Sequence, residues 1–287
     1  MKQLFIILLG LVLIPNISAQ SVAELEKLAG DKMSNGQFSE ALDYYNQAIT
    51  LIEDSSAHST TYAYAGMCAN ELGDVNTAKQ LFTKAVESGI EEPLIFDLLG
   101  DIGRKQDDYA TQLMAYEAGV LRAPADKEKY QVKICTVYKK QKDGDKLLEV
   151  SEEILSYNPK SLKGLEYKGT ALQYQKKMSD AEATFKELYA LDKENVNANI
   201  FLGNYYYQVG RNKLASARKK YDKIEHPSRV QWHDLNESNK ATMNKYYVPS
   251  IDHLEFVYAQ NPNSSIKKML YAMYKKMGDE EKAALYE

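Results

Sequence analysis

The stretch LEYKGTALQYQKKMSDAEATFKELYALDKEN, Leu165 to Asn195, decides the fold. It sets a glycine, Gly169, among bulky residues, with Ala181 twelve positions later and Phe185 sixteen positions later. Small residues recur outward from it at one period. Gly203 stands 34 residues after Gly169, Cys135 stands 34 before it, Gly100 a further 35 back and Gly66 a further 34. The alanine recurs as Ala78 and Ala215, and the aromatic as Phe82 and Tyr116, with Lys219 a poor match. Nineteen residues after each marker come Ala85, Gly119 and Leu188. Repetition at this spacing predicts a stack of like units in place of a single closed bundle.

Each unit reads as a helical hairpin. A small residue midway along the first helix and another early in the second let two backbones approach, and aromatics at helical spacing fill the remaining space. The expected turns are Asn35-Gly36, Gly73-Asp74, Asp107-Asp108, Gly210-Arg211 and Gly278-Asp279, where Gly or Asp ends one helix and starts the next. Pro124, Pro159 and Pro262 fall where a second helix must stop.

The pattern resembles the tetratricopeptide repeat family. Leu165, Gly169, Ala181 and Phe185 match its unit, and so do Tyr62, Gly66, Ala78, Phe82 and Ala85. Leu188 and Lys193 depart from the family's closing Ala and Pro. The resemblance implies an all-α, right-handed helical-hairpin solenoid of about seven to eight repeats over 20–287. These are placed near 22–58, 59–92, 93–127, 128–161, 162–195 and 196–230, with a degenerate 231–263 and a truncated 264–287. The last repeat, cut short after Ala283, is expected to fray or to need a cover. Cys68 and Cys135 fall in non-adjacent repeats, so both thiols are expected free and buried.

Residues 1–19, MKQLFIILLGLVLIPNISA, have a lysine, an apolar run from Leu4 to Ile14 and small residues before Gln20. This reads as a secretory signal peptide cut after Ala19, which predicts an exported, periplasmic protein with no stable membrane span after removal.

Stacked hairpins leave a groove lined by the first helix of each pair, and the resemblance implies that it holds extended peptides or partner helices. The register points Asp97, Asp101, Arg104 and Lys105 toward it, then Lys129, Thr136, Lys139 and Lys140. Glu166, Thr170, Gln173 and Tyr174 follow, then Asn197, Ile200, Asn204, Tyr207 and Gln208. The expected partner-binding set is Arg104, Lys105, Lys139, Lys140, Tyr174, Asn197, Asn204 and Tyr207: cations for carboxylates, amides for a peptide backbone and flat rings for apolar contact. The family's clamp for a C-terminal carboxylate has a lysine one turn before an asparagine. Ile200 stands where that lysine would precede Asn204.

The net charge of −4 argues against nucleic acid as a partner. No nucleotide-binding glycine loop, nucleophile elbow or zinc-helix motif is present, so neither a cofactor nor a metal is expected and the chain reads as a non-enzymatic scaffold of the bacterial envelope. Two alternatives stay open. One is a glycan binder using the 22 tyrosines; the other is a metal-dependent enzyme centred on 224–249, where His226 and His233 lie with His253 nearby. All three histidines are otherwise expected to be solvated.

Overall fold

A computed structural model describes residues 21–287, so the signal-peptide reading of 1–19 lies outside the described residues. Among these residues there are fourteen α-helices and no strand. The chain divides into two compact units, one ending at Pro124 and one running from Ala125 to Glu287.

The first unit holds three hairpins. α1 (Val22–Ser34) pairs with α2 (Phe38–Leu51), α3 (Ser59–Glu71) with α4 (Val75–Glu87), and α5 (Pro93–Lys105) with α6 (Tyr109–Arg122). A 3-10 turn over Ser55–His58 takes up the longer link before α3. In the second unit α7 (Lys127–Gln141) packs on α8 (Gly144–Tyr157), and α9 (Leu162–Tyr174) on α10 (Met178–Leu191). α11 (Val196–Tyr221) packs along α12 (Arg229–Gln260), and α13 (Ser264–Met277) is followed by the short α14 (Glu280–Ala284). No described helix is long and apolar enough to cross a membrane.

Local chemistry sets the helix ends. Asp74, Asp108, Asp143 and Asp279 each accept a backbone N–H from three residues ahead, which satisfies an otherwise orphaned donor in the first turn. Ser21 and Ser228 do the same within full capping boxes. The hairpin turns need one left-handed residue each. Gly36, Gly73 and Gly278 supply it freely, whereas Asp107, Lys142 and Lys176 adopt it with positive φ of 52°, 57° and 60°.

The small-residue marker works by close approach. A Cβ on Gly66 would lie 2.6 Å from the Phe82 ring, one on Gly100 2.2 Å from Tyr116 and one on Gly169 2.6 Å from Phe185. Each partner is the aromatic sixteen residues on. In the hairpin of α7 and α8 the marker is Cys135 and the residue sixteen on is Ser151, both fully buried. The volume given up on the second helix is thus taken back on the first. Cys135 and Cys68 are free and buried.

The sequence-based repeats at 196–230 and 231–263 need correction: they form one long hairpin. α11 runs 26 residues straight through the expected Gly210-Arg211 turn, and α12 runs 32 residues with Pro249 inside it. The reason is packing. A Cβ on Gly210 would lie 2.8 Å from the Tyr247 ring and 3.0 Å from Tyr246 Cβ, so this glycine admits α12 alongside α11 instead of turning the chain. Ala215, expected to open a second helix, is exposed in mid-helix. The partner of Gly203 is Leu254, whose Cγ lies 2.6 Å from where a Cβ would sit, which explains the poor match at Lys219.

At the C-terminal end an aromatic pair anchors the last residues. Tyr274 and Tyr286 stack with centroids 5.9 Å apart, and both hydroxyls donate to the Glu255 carboxylate, at 2.7 and 2.9 Å. Ala283 is buried beneath. Two rings holding one carboxylate tie α13 and the last residues to α12. Burial and the Glu255 carboxylate together push the Tyr286 phenol up to about 12.

Candidate binding cleft

A cleft of about 380 Å³ lies within the second unit between α7, α9, α10 and α11. α9 contributes Thr170, Gln173 and Tyr174, and α11 contributes Asn197, Ile200, Phe201, Asn204, Tyr205 and Gln208. These are spaced at three, four and seven residues, so one stripe of each helix faces the opening. Lys139 from α7 and Met178 and Phe185 from α10 complete the wall.

The floor is aromatic. Phe185 stacks on Phe201 at 4.4 Å, and Phe201 on Tyr205 at 5.7 Å. Above it stand four carboxamides, Gln173, Asn197, Asn204 and Gln208. Each offers two N–H donors and a carbonyl acceptor, the complement of a peptide backbone. Among the described residues no Asp, Glu, His or Cys lines the cleft. Lys139 is its one cation; its Nζ lies 3.7 Å from Glu166 Oε1 and 5.8 Å from the Tyr167 ring centroid. Tyr174 donates its hydroxyl to the Lys139 carbonyl at 3.3 Å, which ties α9 to α7 at the rim.

Of the residues read from the sequence, Lys139, Tyr174, Asn197 and Asn204 come together here, with Thr170, Gln173, Ile200 and Gln208 from the wider register. Lys140 is exposed on α7 and does not line the cleft. Arg104 and Lys105 end α5 in the first unit, where Arg104 pairs with Asp101 at 3.2 Å. Tyr207 is corrected: it stacks on Tyr247 at 6.0 Å in the apolar contact between α11 and α12. Glu166 is buried rather than lining the cleft, held by Lys163 at 2.9 Å. Met178, Phe185, Phe201 and Tyr205 were missed, and the register alone hides them: Phe201 and Tyr205 sit beside the groove positions on α11, and α10 is a second helix.

The histidine reading also divides. His226 and His233 are exposed, whereas His253 is buried in α12. The Asn199 amide donates its Nδ2 to the Lys193 and Asn195 carbonyls, so its Oδ1 accepts from His253 Nδ1 at 2.8 Å. Tyr189 meets the imidazole edge-on at 4.7 Å. Burial holds the His253 imidazole below its usual range; Asp252 opposes the shift and Lys193 adds to it. Among the described residues no cluster of three or more His, Cys, Asp or Glu is placed to hold a metal ion.

No family model matches the chain, and no curated protein matches it. Solved structures do. A Bacteroides ovatus protein described as a candidate protein-binding protein superposes with a TM-score of 0.50 at 18% identity, covering 91% of this chain and 99% of the other. YrrB, a tetratricopeptide-repeat protein with an unusual peptide-binding site, gives 0.44 at 20% identity over 62% of this chain and 90% of its own. A tetratricopeptide repeat protein of Parabacteroides merdae gives 0.43 at 15% identity, covering 88% and 99%. At these identities the likeness is one of fold.

Proposed function

Starting from a chain with the tetratricopeptide-repeat fold, we propose that it is a non-enzymatic scaffold of the bacterial cell envelope that holds an extended peptide segment in the α7–α11 cleft. One observation carries this reading: four carboxamides stand over an aromatic floor in a cleft without a carboxylate, a histidine or a thiol. An extended peptide presents alternating N–H and C=O groups along one edge and apolar side chains below, and this lining holds donors, acceptors and rings of the kinds that suit them. Lys139 at the rim favours an acidic residue or a chain terminus at one end of the ligand. The envelope location rests on the leader at 1–19, and intact-mass analysis of the secreted form tests it: a chain beginning at Gln20 supports export, and a retained Met1 opposes it.

The cleft is tested by panning a random peptide library displayed on phage against the purified chain. Selected peptides should bind the native chain and lose roughly tenfold in affinity with Asn204→Ala or Asn197→Ala, the loss of a hydrogen bond from a groove largely cleared of water. Peptides that bind both variants as tightly as the native chain would remove the cleft from the account.

A further inference from the structure

The long hairpin creates a second cleft, of about 440 Å³, where α11 and α12 run beside α13. It owes its existence to the departure from the repeat: had the chain turned at Gly210, neither α11 nor α12 would extend here. Arg211 and Arg218 face it from α11, two helical turns apart, and Lys276 faces it from α13. Among the described residues no Asp or Glu lines it. Arg218 is engaged by Asp222 at 2.7 Å, but Arg211 and Lys276 form no ion pair among the described residues. Trp232, the sole tryptophan of the chain and nearly half exposed, forms one wall, with Leu214 and Leu235 buried beneath. Asn239 in the same wall has a buried side-chain oxygen without a partner.

The charge is local. Residues 211–245 carry nine Lys and Arg against four Asp and Glu, in a chain whose net charge is −4. Asp222 answers Arg218, but the fold supplies no such partner to Arg211 and Lys276 among the described residues, and their counter-charge is left to a ligand.

We infer that this cleft binds a small aryl phosphate, a phosphate monoester carrying a flat ring. The phosphate is chosen over a carboxylate because two cations, Arg211 and Lys276, line the cleft without an ion pair among the described residues, and a monoester near neutral pH brings close to two negative charges with three acceptor oxygens. The ring follows from Trp232, whose nearly half-exposed indole lines the cleft beside the cations and packs at a tilt on Tyr221, centroids 5.6 Å apart. The volume is that of an ordinary small-molecule site.

Because Trp232 is the only tryptophan, its emission reports on this cleft alone. The experiment titrates the full mature chain with phenyl phosphate, with inorganic phosphate and phenol as arms carrying only the charge or only the ring, and follows both fluorescence and heat. The expected result is saturable binding of phenyl phosphate, tighter than inorganic phosphate, with phenol inert. Arg211→Gln and Lys276→Gln should each weaken it by roughly tenfold with an unchanged melting temperature, since both side chains are exposed. The inference is overturned if phenyl phosphate gives neither a saturable heat nor an emission change at millimolar concentration. It is equally overturned if phenol or inorganic phosphate binds as tightly, or if the Arg211→Gln, Lys276→Gln double variant binds like the native chain. None of these outcomes touches the peptide cleft, which has its own residues.

Discussion

Replacing Gly169 with alanine tests the close-approach seam directly. The new Cβ would stand 2.6 Å from Phe185 Cε2, 2.8 Å from Cζ and 2.9 Å from Cδ2. Ordinary carbon contacts lie at about 3.5 Å, so the ring or the helix must give by nearly an ångström. Phe185 cannot swing away: it is 2% exposed and stacked on Phe201 at 4.4 Å. Overpacking of this kind costs about 1–3 kcal/mol, against a gain of about 0.5–1 kcal/mol from replacing glycine inside a helix. A fully buried, stacked ring puts the cost toward the upper end of its range, so packing wins and the net loss is up to about 2.5 kcal/mol, or up to about 10 °C in melting temperature for a unit of this size. Gly30 in α1 is the internal control, because a Cβ there meets nothing within 4 Å. Gly30→Ala should therefore stabilise the chain by about 0.5–1 kcal/mol through propensity alone. Thermal and urea unfolding followed by circular dichroism read both signs, and Phe185→Leu in the Gly169→Ala background should recover part of the loss. If Gly169→Ala stabilises the chain as Gly30→Ala does, the seam is wrong.

The other expectations concern titration, capping and thiols. Because burial holds the His253 imidazole below its usual range, the unfolded chain takes up a proton first as pH falls. Stability is thus complete above about pH 6.5 and declines below it, with a slope approaching about 1.4 kcal/mol per pH unit until the folded-state imidazole titrates. His253→Gln, which keeps a donor for Asn199, should flatten that slope in urea melts at stepped pH. Asp108 caps α6 and meets Lys79 at 2.6 Å; the Lys79 ammonium and the Thr111 hydroxyl hold its carboxyl well below the usual range. That stabilisation is present above the ordinary carboxylate range and is lost as pH falls through the folded value, so Asp108→Asn should lessen acid sensitivity. At neutral pH Asp108→Ala should cost about 1–2 kcal/mol, and Asp108→Asn, which still caps, under about 1 kcal/mol. Burial pushes the Cys68 thiol up to about 11 and Cys135 up to about 12, so neither should react with a colorimetric disulfide reagent until denaturant is added. Rapid labelling of the native chain would contradict their placement.

Most of the architecture was legible because one contact, glycine on the first helix against an aromatic sixteen residues on, writes itself into the chain as a fixed spacing. The same spacing misled at Gly210. It falls 34 residues after Lys176, which does turn the chain, yet it serves a different contact, admitting Tyr247. The composition carried a warning, since Arg211 follows Gly210 where Asp74, Asp108, Asp143 and Asp279 cap the next helix after other turns. The Ser228–Gln231 capping box, by contrast, marks the true start of α12. For the cleft, the register identified the polar rim on α9 and α11 but not its floor, because Phe185 and Phe201 carry out core packing and cleft lining at once. Tyr207 went astray for the same reason as Gly210: once α11 continues, that part of the helix has α12 for a neighbour.

The peptide cleft is tested most directly by where a bound peptide touches the chain. A library-selected peptide carrying a photoreactive leucine, irradiated in complex and mapped by mass spectrometry, should form adducts at Ile200, Met178 and Tyr174. Adducts confined to the exposed faces of α8 or α12, or to the first unit, would contradict the account.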